Sequence, residues 1–243
     1  MPTPPARRDR DLVIVQTGDP VPSVAGARGD FARMIREAIG DAWGGGYAVV
    51  DVRVAPHPDP RDAAAFVITG SASSVPDRDP WVLATEAWLR EVVGAATPVF
   101  GICFGHQLLA QALGGEVRRN LRGREIGTVL VLRRADDPIF DGVPEAFSAS
   151  ATHVDTVGAL PPGATSLARS SGDDHHAIRF AEACYGVQFH PEFDAGIMRG
   201  YLEARREVVL GEGLDADGLI ASVRETSSSR RILQNFVRRF VRD

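Results

Sequence analysis

Two stretches of the chain carry residues whose types and spacing can do covalent chemistry. In PVFGICFGHQLLAQALGG, Cys103 stands between Gly101 and Gly105, with an apolar run before it and a helical pattern after it. A glycine-flanked residue at a strand-to-helix turn is the sulfur counterpart of the G-x-S-x-G elbow, in which a sharp turn lifts the nucleophile out of the sheet. The positive end of a helix favours thiolate over thiol, and the N–H of Phe104 points where an oxyanion would form. A lone cysteine is more often a small buried hydrophobe, but the paired glycines and the strand-to-helix setting favour the nucleophile here.

The second stretch is YGVQFHPEF, a short apolar strand that ends on His190, Pro191 and Glu192. Proline biases His190 toward an extended backbone, and in an extended chain residues two apart share a face. The Glu192 carboxylate is then placed to hold one imidazole nitrogen and leave the other to take a thiol proton. A His-Pro-Glu tripeptide alone would mean a surface turn; paired with an upstream elbow cysteine it reads as base and orienter. His57 lies in a proline-rich loop, His106 follows the nucleophile, and His175-His176 sit in an acidic turn with no partner at ligand spacing. No metal site and no cofactor are expected.

All 27 basic residues are arginine, which excludes a Schiff-base or P-loop lysine. The net charge of −5 is scattered, so no basic stripe marks a nucleic-acid partner. Two cysteines are too few for a disulfide framework, and neither a signal peptide nor a run of about 18 apolar residues is present, so a cytoplasmic protein without a membrane span is expected.

The elements that position these residues alternate as strands and helices. LVIVQ (12–16) reads as a buried strand; Phe31 to Ala42 has helical spacing behind Asp30, a candidate N-cap. Strands are predicted at 47–54, 65–69 and 98–102, a helix over 80–93 capped by Asp79, and a helix over 104–113 stopped by Gly114-Gly115. From 116 to 189 the pattern turns to short antiparallel strands; helical spacing returns over 194–210 and at Ile232, Leu233, Phe236, Val237 and Phe240. The expected fold is a three-layer α/β sandwich with a mostly parallel central sheet, a minor antiparallel layer and the nucleophile elbow at the carboxyl ends of the strands. Residues 1–11 read as a flexible tail, and 12–243 as one domain that includes C-terminal helices over about 212–243.

Taken with ITGSASSV (68–75), DDPIFDGVP (136–144) and SATHVDTV (150–157), these motifs resemble the class I (triad) glutamine amidotransferases, near stand-alone relatives of the GMP synthase glutaminase domain and γ-glutamyl peptidases. The resemblance implies that Cys103 attacks a γ-glutamyl amide, His190 shuttles protons and Glu192 orients His190. It also implies that backbone near Gly70 and Ser71, with Phe104 N–H, stabilises the oxyanion, and that Gln107 and Thr152, His153 and Val154 bind the glutamyl head. Two departures touch recognition: Gly70-Ser71-Ala72 replaces a common Gly-Gly-Pro loop, and Val154 replaces a glycine.

Three functions fit. An autonomous hydrolase of glutamine or a γ-glutamyl compound is favoured. A glutaminase subunit delivering ammonia to a separate synthetase is the alternative, and a non-enzymatic or redox protein on a related fold is the third, against which His190-Pro191-Glu192 counts.

Overall fold

The computed structural model describes residues 10–241, so most of the expected tail, residues 1–9, lies outside the described residues. The first part of the chain alternates as β1 (Leu12–Gln16), α1 (Pro22–Arg28), α2 (Phe31–Ile39), β2 (Tyr47–Asp51), β3 (Ala65–Ile68), α3 (Pro80–Gly94), β4 (Val99–Ile102) and α4 (Phe104–Ala112). Seven strands follow: β5 (Glu116–Arg119), β6 (Glu125–Arg133), β7 (Ala146–His153), β8 (Asp155–Ala159), β9 (Thr165–Arg169), β10 (Ala177–Ala181) and β11 (Cys184–Val187). Helices α5 (Ala195–Ala204), α6 (Arg206–Gly211), α7 (Ala216–Ser222) and α8 (Ser227–Phe240) complete it.

Nine strands form one sheet in the order β2-β1-β3-β4-β11-β10-β9-β6-β7. Neighbours are parallel from β2 through β11 and antiparallel from β11 to β7. The antiparallel strands thus extend the central sheet, and only β5 and β8 pair apart from it. This is the expected α/β sandwich.

Both faces of the parallel part are covered, which is why its strands read as unbroken apolar runs. Period-two alternation sends Leu12, Ile14, Ala65, Val67, Phe100 and Ile102 into a core under α2, α5 and α8. Val13, Val15, Phe66, Ile68 and Val99 enter a second core under α3 and α4. The apolar stripe of α8 serves the first core: Ile232, Leu233, Phe236 and Val237 are buried, and the Phe236 ring lies 5.0 Å from that of Phe100.

Local signals explain most boundaries. Asp30 caps α2 by accepting from Arg33 N–H at 2.8 Å, and Asp194 caps α5 from Ile197 N–H at 2.8 Å. Asp79, by contrast, makes no cap bond, and α3 starts on Pro80 alone. Strand β2 ends at Asp51 rather than Val54, because the Asp51 carboxylate accepts from the Arg53 N–H at 3.0 Å and closes a turn. The helical stretch after Asp194 breaks at Arg205 into α5 and α6.

At the β4–α4 turn the two flanking glycines are needed for space. A Cβ on Gly101 would stand 2.5 Å from the backbone of Gly105, and one on Gly105 would stand 2.6 Å from the Ile68 carbonyl oxygen. Backbone cannot yield as a flexible side chain can. Gly101→Ala is therefore expected to destabilise the fold by about 1–3 kcal/mol, measured by chemical denaturation, whereas an unchanged midpoint would mean the turn is loose.

Candidate active site

Cys103 sits between β4 and α4 with φ 51° and ψ −98°, one of three non-glycine residues with positive φ among the described residues. Such a backbone costs about 1–3 kcal/mol and persists only where the surroundings enforce it. The enforcing contact is on the neighbouring strand: Ile102 is in register with Val187 of β11, and the Cys103 N–H donates to the Val187 carbonyl at 2.8 Å. That register brings Gln188 and His190, just beyond β11, level with the sulfur.

His190 is buried, and its Nδ1 lies 2.8 Å from Glu192 Oε1. The two come together by a different route from the one the sequence suggests. Pro191 and Glu192 form a turn closed by a bond from Phe193 N–H to the His190 carbonyl at 3.3 Å, so the pair meets across a turn, not along an extended face. The Phe193 ring stacks on the imidazole with centroids 4.2 Å apart, and Gly70 lies against its edge, where an added Cβ would stand 3.0 Å from His190 Cε1. With Nδ1 held by Glu192, Nε2 is left for the Cys103 sulfur.

Burial works against a charge on His190, but the negative charges of Glu192 and Cys103 outweigh it and raise the imidazole to about 10. An imidazolium facing a sulfur across a dry contact favours a thiolate as its partner. Cys184 shows the contrast: buried and uncompensated, its thiol is pushed up by desolvation alone.

A narrow pocket of about 60 Å³ opens over Cys103 and brings together Ser71, Phe104, Gln107, Thr152, His153 and Val154. Gly70 contacts His190 rather than lining it. The roomiest cleft, about 790 Å³, lies between Pro138–Val143 and α8, away from Cys103, and lacks a nucleophile. Phe104 opens α4, so its N–H has no partner within the helix. Thr152 Oγ1 is buried without a hydrogen-bond partner among the described residues. The His153 ring, however, is engaged elsewhere: Nδ1 lies 2.9 Å from the Asp155 carbonyl and Nε2 3.0 Å from Glu125 Oε2.

Several residues here carry no sequence motif. Glu125 Oε2 also lies 2.6 Å from His176 Nε2, and Ser170 Oγ donates to Glu125 Oε1 at 2.6 Å. His176, expected to lack a partner, is thus part of a buried cluster, and the ligand atoms of Glu125, His153 and His176 lie within 4.8 Å of one another. Both ring nitrogens of His153 face acceptors, a carbonyl and a carboxylate, which requires a proton on each and leaves no lone pair for a metal. Burial opposes that charge, but Glu125, Asp173 and Cys103 raise His153 above its ordinary value. Burial likewise would raise Glu125, yet the bonds to His153 and His176 hold it well below the usual carboxylate range. Arg124 and Arg205 reach the pocket wall; Arg124 is fixed by Glu212 at 2.7 and 2.9 Å, while Arg205 Nε is buried without a hydrogen-bond partner among the described residues.

A doubly covered α/β sheet, with a cysteine elbow and a His–Glu pair at its carboxyl edge, defines a class of cysteine-nucleophile enzymes. Residues 57–205 match the family model for class-I glutamine amidotransferases, and the chain belongs to that family. It is 42% identical over 127 residues to a GMP synthase (glutamine-hydrolyzing) of Thermomicrobium roseum, covering 52% of this chain and 23% of that one. It is 37% identical over 124 residues to a separate GMP synthase (glutamine-hydrolyzing) subunit from Archaeoglobus fulgidus, covering 49% of this chain and 66% of that one. The match spans about a quarter of the full-length GMP synthases. A glutamine amidotransferase of Thermotoga maritima superposes with a TM-score of 0.76 at 21% identity over 96% of this chain and all of that one, a likeness of fold. No described helix is long and apolar enough to cross a membrane.

Removing the Glu125 charge is expected to unbalance the buried cluster. Glu125→Gln should cost about 3–5 kcal/mol of stability at its greatest. The depressed Glu125 contributes above its unfolded value of 4.5 and loses that contribution as pH falls; the raised His153 contributes fully below its unfolded value of 6.5 and loses it as pH rises. Denaturant titrations of both proteins should therefore differ most between those two values. A difference independent of pH would show that the cluster is not charged.

Proposed function

We propose that the chain hydrolyses a γ-glutamyl amide through a thioester on Cys103. The observation that carries this reading is the buried His190–Glu192 pair, at 2.8 Å, beside a cysteine held in a strained elbow. The Cys103 thiolate attacks the γ-carbonyl carbon, and the oxyanion that forms is met by Phe104 N–H and by backbone at Gly70 and Ser71. His190 gives its proton to the leaving nitrogen as the C–N bond breaks, releasing ammonia or an amine. It then takes a proton from water, the resulting hydroxide attacks the thioester, and glutamate leaves as the thiolate reforms. Glu192 holds the imidazole in position through both steps.

The pocket wall supports an anionic glutamyl head. Gln107 spends its N–H groups inside the protein, and its carbonyl makes no hydrogen bond among the described residues and is left for a substrate N–H. Thr152 supplies an unpaired hydroxyl, and Arg205 a cation for a carboxylate. Ser71 and Val154 crowd the positions where the family's glutamyl contacts fall, which favours a substrate other than plain glutamine. The α8 stripe is spent on the molecule's own core, so it supports an enzyme acting alone.

A second reading is favoured by the likeness to the separate GMP synthase subunit from Archaeoglobus fulgidus: the chain would release ammonia to a separate synthetase. Incubation of the purified chain with a panel of γ-glutamyl compounds, reading ammonia, amine and glutamate together, separates the two. Turnover of some member by the chain alone is expected; none across the panel, with activation by a synthetase from the same cell, would establish the ammonia-delivering role.

In the same assay Cys103→Ala is expected to abolish turnover and Cys184→Ala to leave it within about twofold. His190→Ala should cost on the order of 10²-fold or more, and Glu192→Gln less, because an amide still positions the ring. Equal loss from both cysteine variants, with folding intact, would overturn the choice of nucleophile.

A further inference from the structure

We propose that Gln188 is a further catalytic residue, whose side-chain N–H donates to the Cys103 sulfur and holds it as the thiolate, with Gln107 as its positioning residue. This rests on the reading of Cys103 as the nucleophile. Gln188 is fully buried, and its Nε2 lies 3.5 Å from Cys103 Sγ.

Amide nitrogen and oxygen look alike in shape, so the orientation has to be fixed by partners, and here a chain of them fixes it. It starts at the Asp155 main-chain carbonyl, which can only accept. The Gln107 side-chain atom 2.8 Å from it must therefore be the nitrogen. That same nitrogen lies 2.9 Å from a side-chain atom of Gln188, which must then be the oxygen. The other end of the Gln188 amide, against the sulfur, is left as the NH₂ group. No step leaves a choice.

The start of the chain is itself held. The Asp155 carbonyl also accepts from His153 Nδ1 at 2.9 Å, so its two lone pairs are taken by two donors, and Glu125 holds the far side of His153. The Gln188 backbone is pinned by its N–H to the His176 carbonyl at 2.9 Å. A donor aimed at sulfur stabilises a thiolate and does nothing useful for a thiol, whose own proton would crowd it. The result is a sulfur met by His190 on one side and by a neutral donor of set polarity on the other.

Charged groups around the sulfur come from every element that faces it. His190 and Glu192 follow β11, His153 ends β7, Asp155 opens β8, Arg124 precedes β6 and Arg205 joins α5 to α6. Replacing Gln188 changes none of them. Its effect on sulfur ionisation is therefore separable from theirs.

The test is alkylation by iodoacetamide, a neutral reagent that needs no glutamyl pocket, in a Cys184→Ala background so that one thiol reports. At about pH 6 Gln188→Leu is expected to react about tenfold more slowly than the parent, while at about pH 10, where thiols are ionised, the two should agree within about twofold. General damage to the site would slow both. Gln188→Glu keeps the shape and the bond from Gln107 but turns a carboxylate oxygen to the sulfur; it should show a larger loss at the lower pH, and it serves if leucine is not tolerated. An unchanged ratio of the two rates in either folded variant would overturn the proposal. Because no turnover is measured, failure here is distinct from failure of the hydrolase reading, which the γ-glutamyl panel addresses.

Discussion

The site depends on one backbone contact, the bond from Cys103 N–H to the Val187 carbonyl at 2.8 Å. It continues the parallel pairing of β4 with β11 one step past the regular register, and it does two things at once. It ties Cys103 into a left-handed conformation that an unrestrained chain would leave, and it sets the origin from which Gln188, His190 and Glu192 are counted. Residues separated by more than eighty positions in sequence thereby arrive at one sulfur. A strand slip of a single residue would send His190 to the opposite face of the sheet.

Around that contact the charges are arranged in compensated pairs. His190 faces Glu192 and the sulfur, and His153 is held by Glu125 and the Asp155 carbonyl. Buried ions are costly singly and tolerable when each finds partners of opposite sign with good geometry. The arrangement leaves the protein with two imidazolium rings near the nucleophile, only one of which has a free nitrogen to move a proton. The other fixes the wall behind the pocket. Exchange of ring roles is thus prevented by hydrogen bonding and not by distance.

Much of this was legible in the sequence because each local signal agreed with the global fold. Apolar runs at 12–16, 65–68 and 99–102 could only be strands covered on both faces, and Gly101 and Gly105 announced a turn too tight for side chains. The His-Pro-Glu tripeptide identified the partner pair, although the turn that joins its ends differs from the extended strand its spacing suggested. Gln188 was within reach of the same reasoning, lying two residues before His190. Glu125 and His176 were not: they meet across β6 and the loop before β10, and no local period reports a contact made by sheet order. The antiparallel strands were legible as strands, but their place as an extension of the central sheet is set by long-range pairing.

The central claim is that Cys103 carries the glutamyl group during turnover. Acid quenching of the protein during turnover of a γ-glutamyl compound, followed by peptide mass spectrometry, tests it most directly. The account predicts one γ-glutamyl thioester, on the peptide containing Cys103, that disappears when substrate is exhausted and is absent from Cys103→Ala. Turnover that proceeds in Cys103→Ala, or a glutamyl adduct on Cys184 instead, would contradict it.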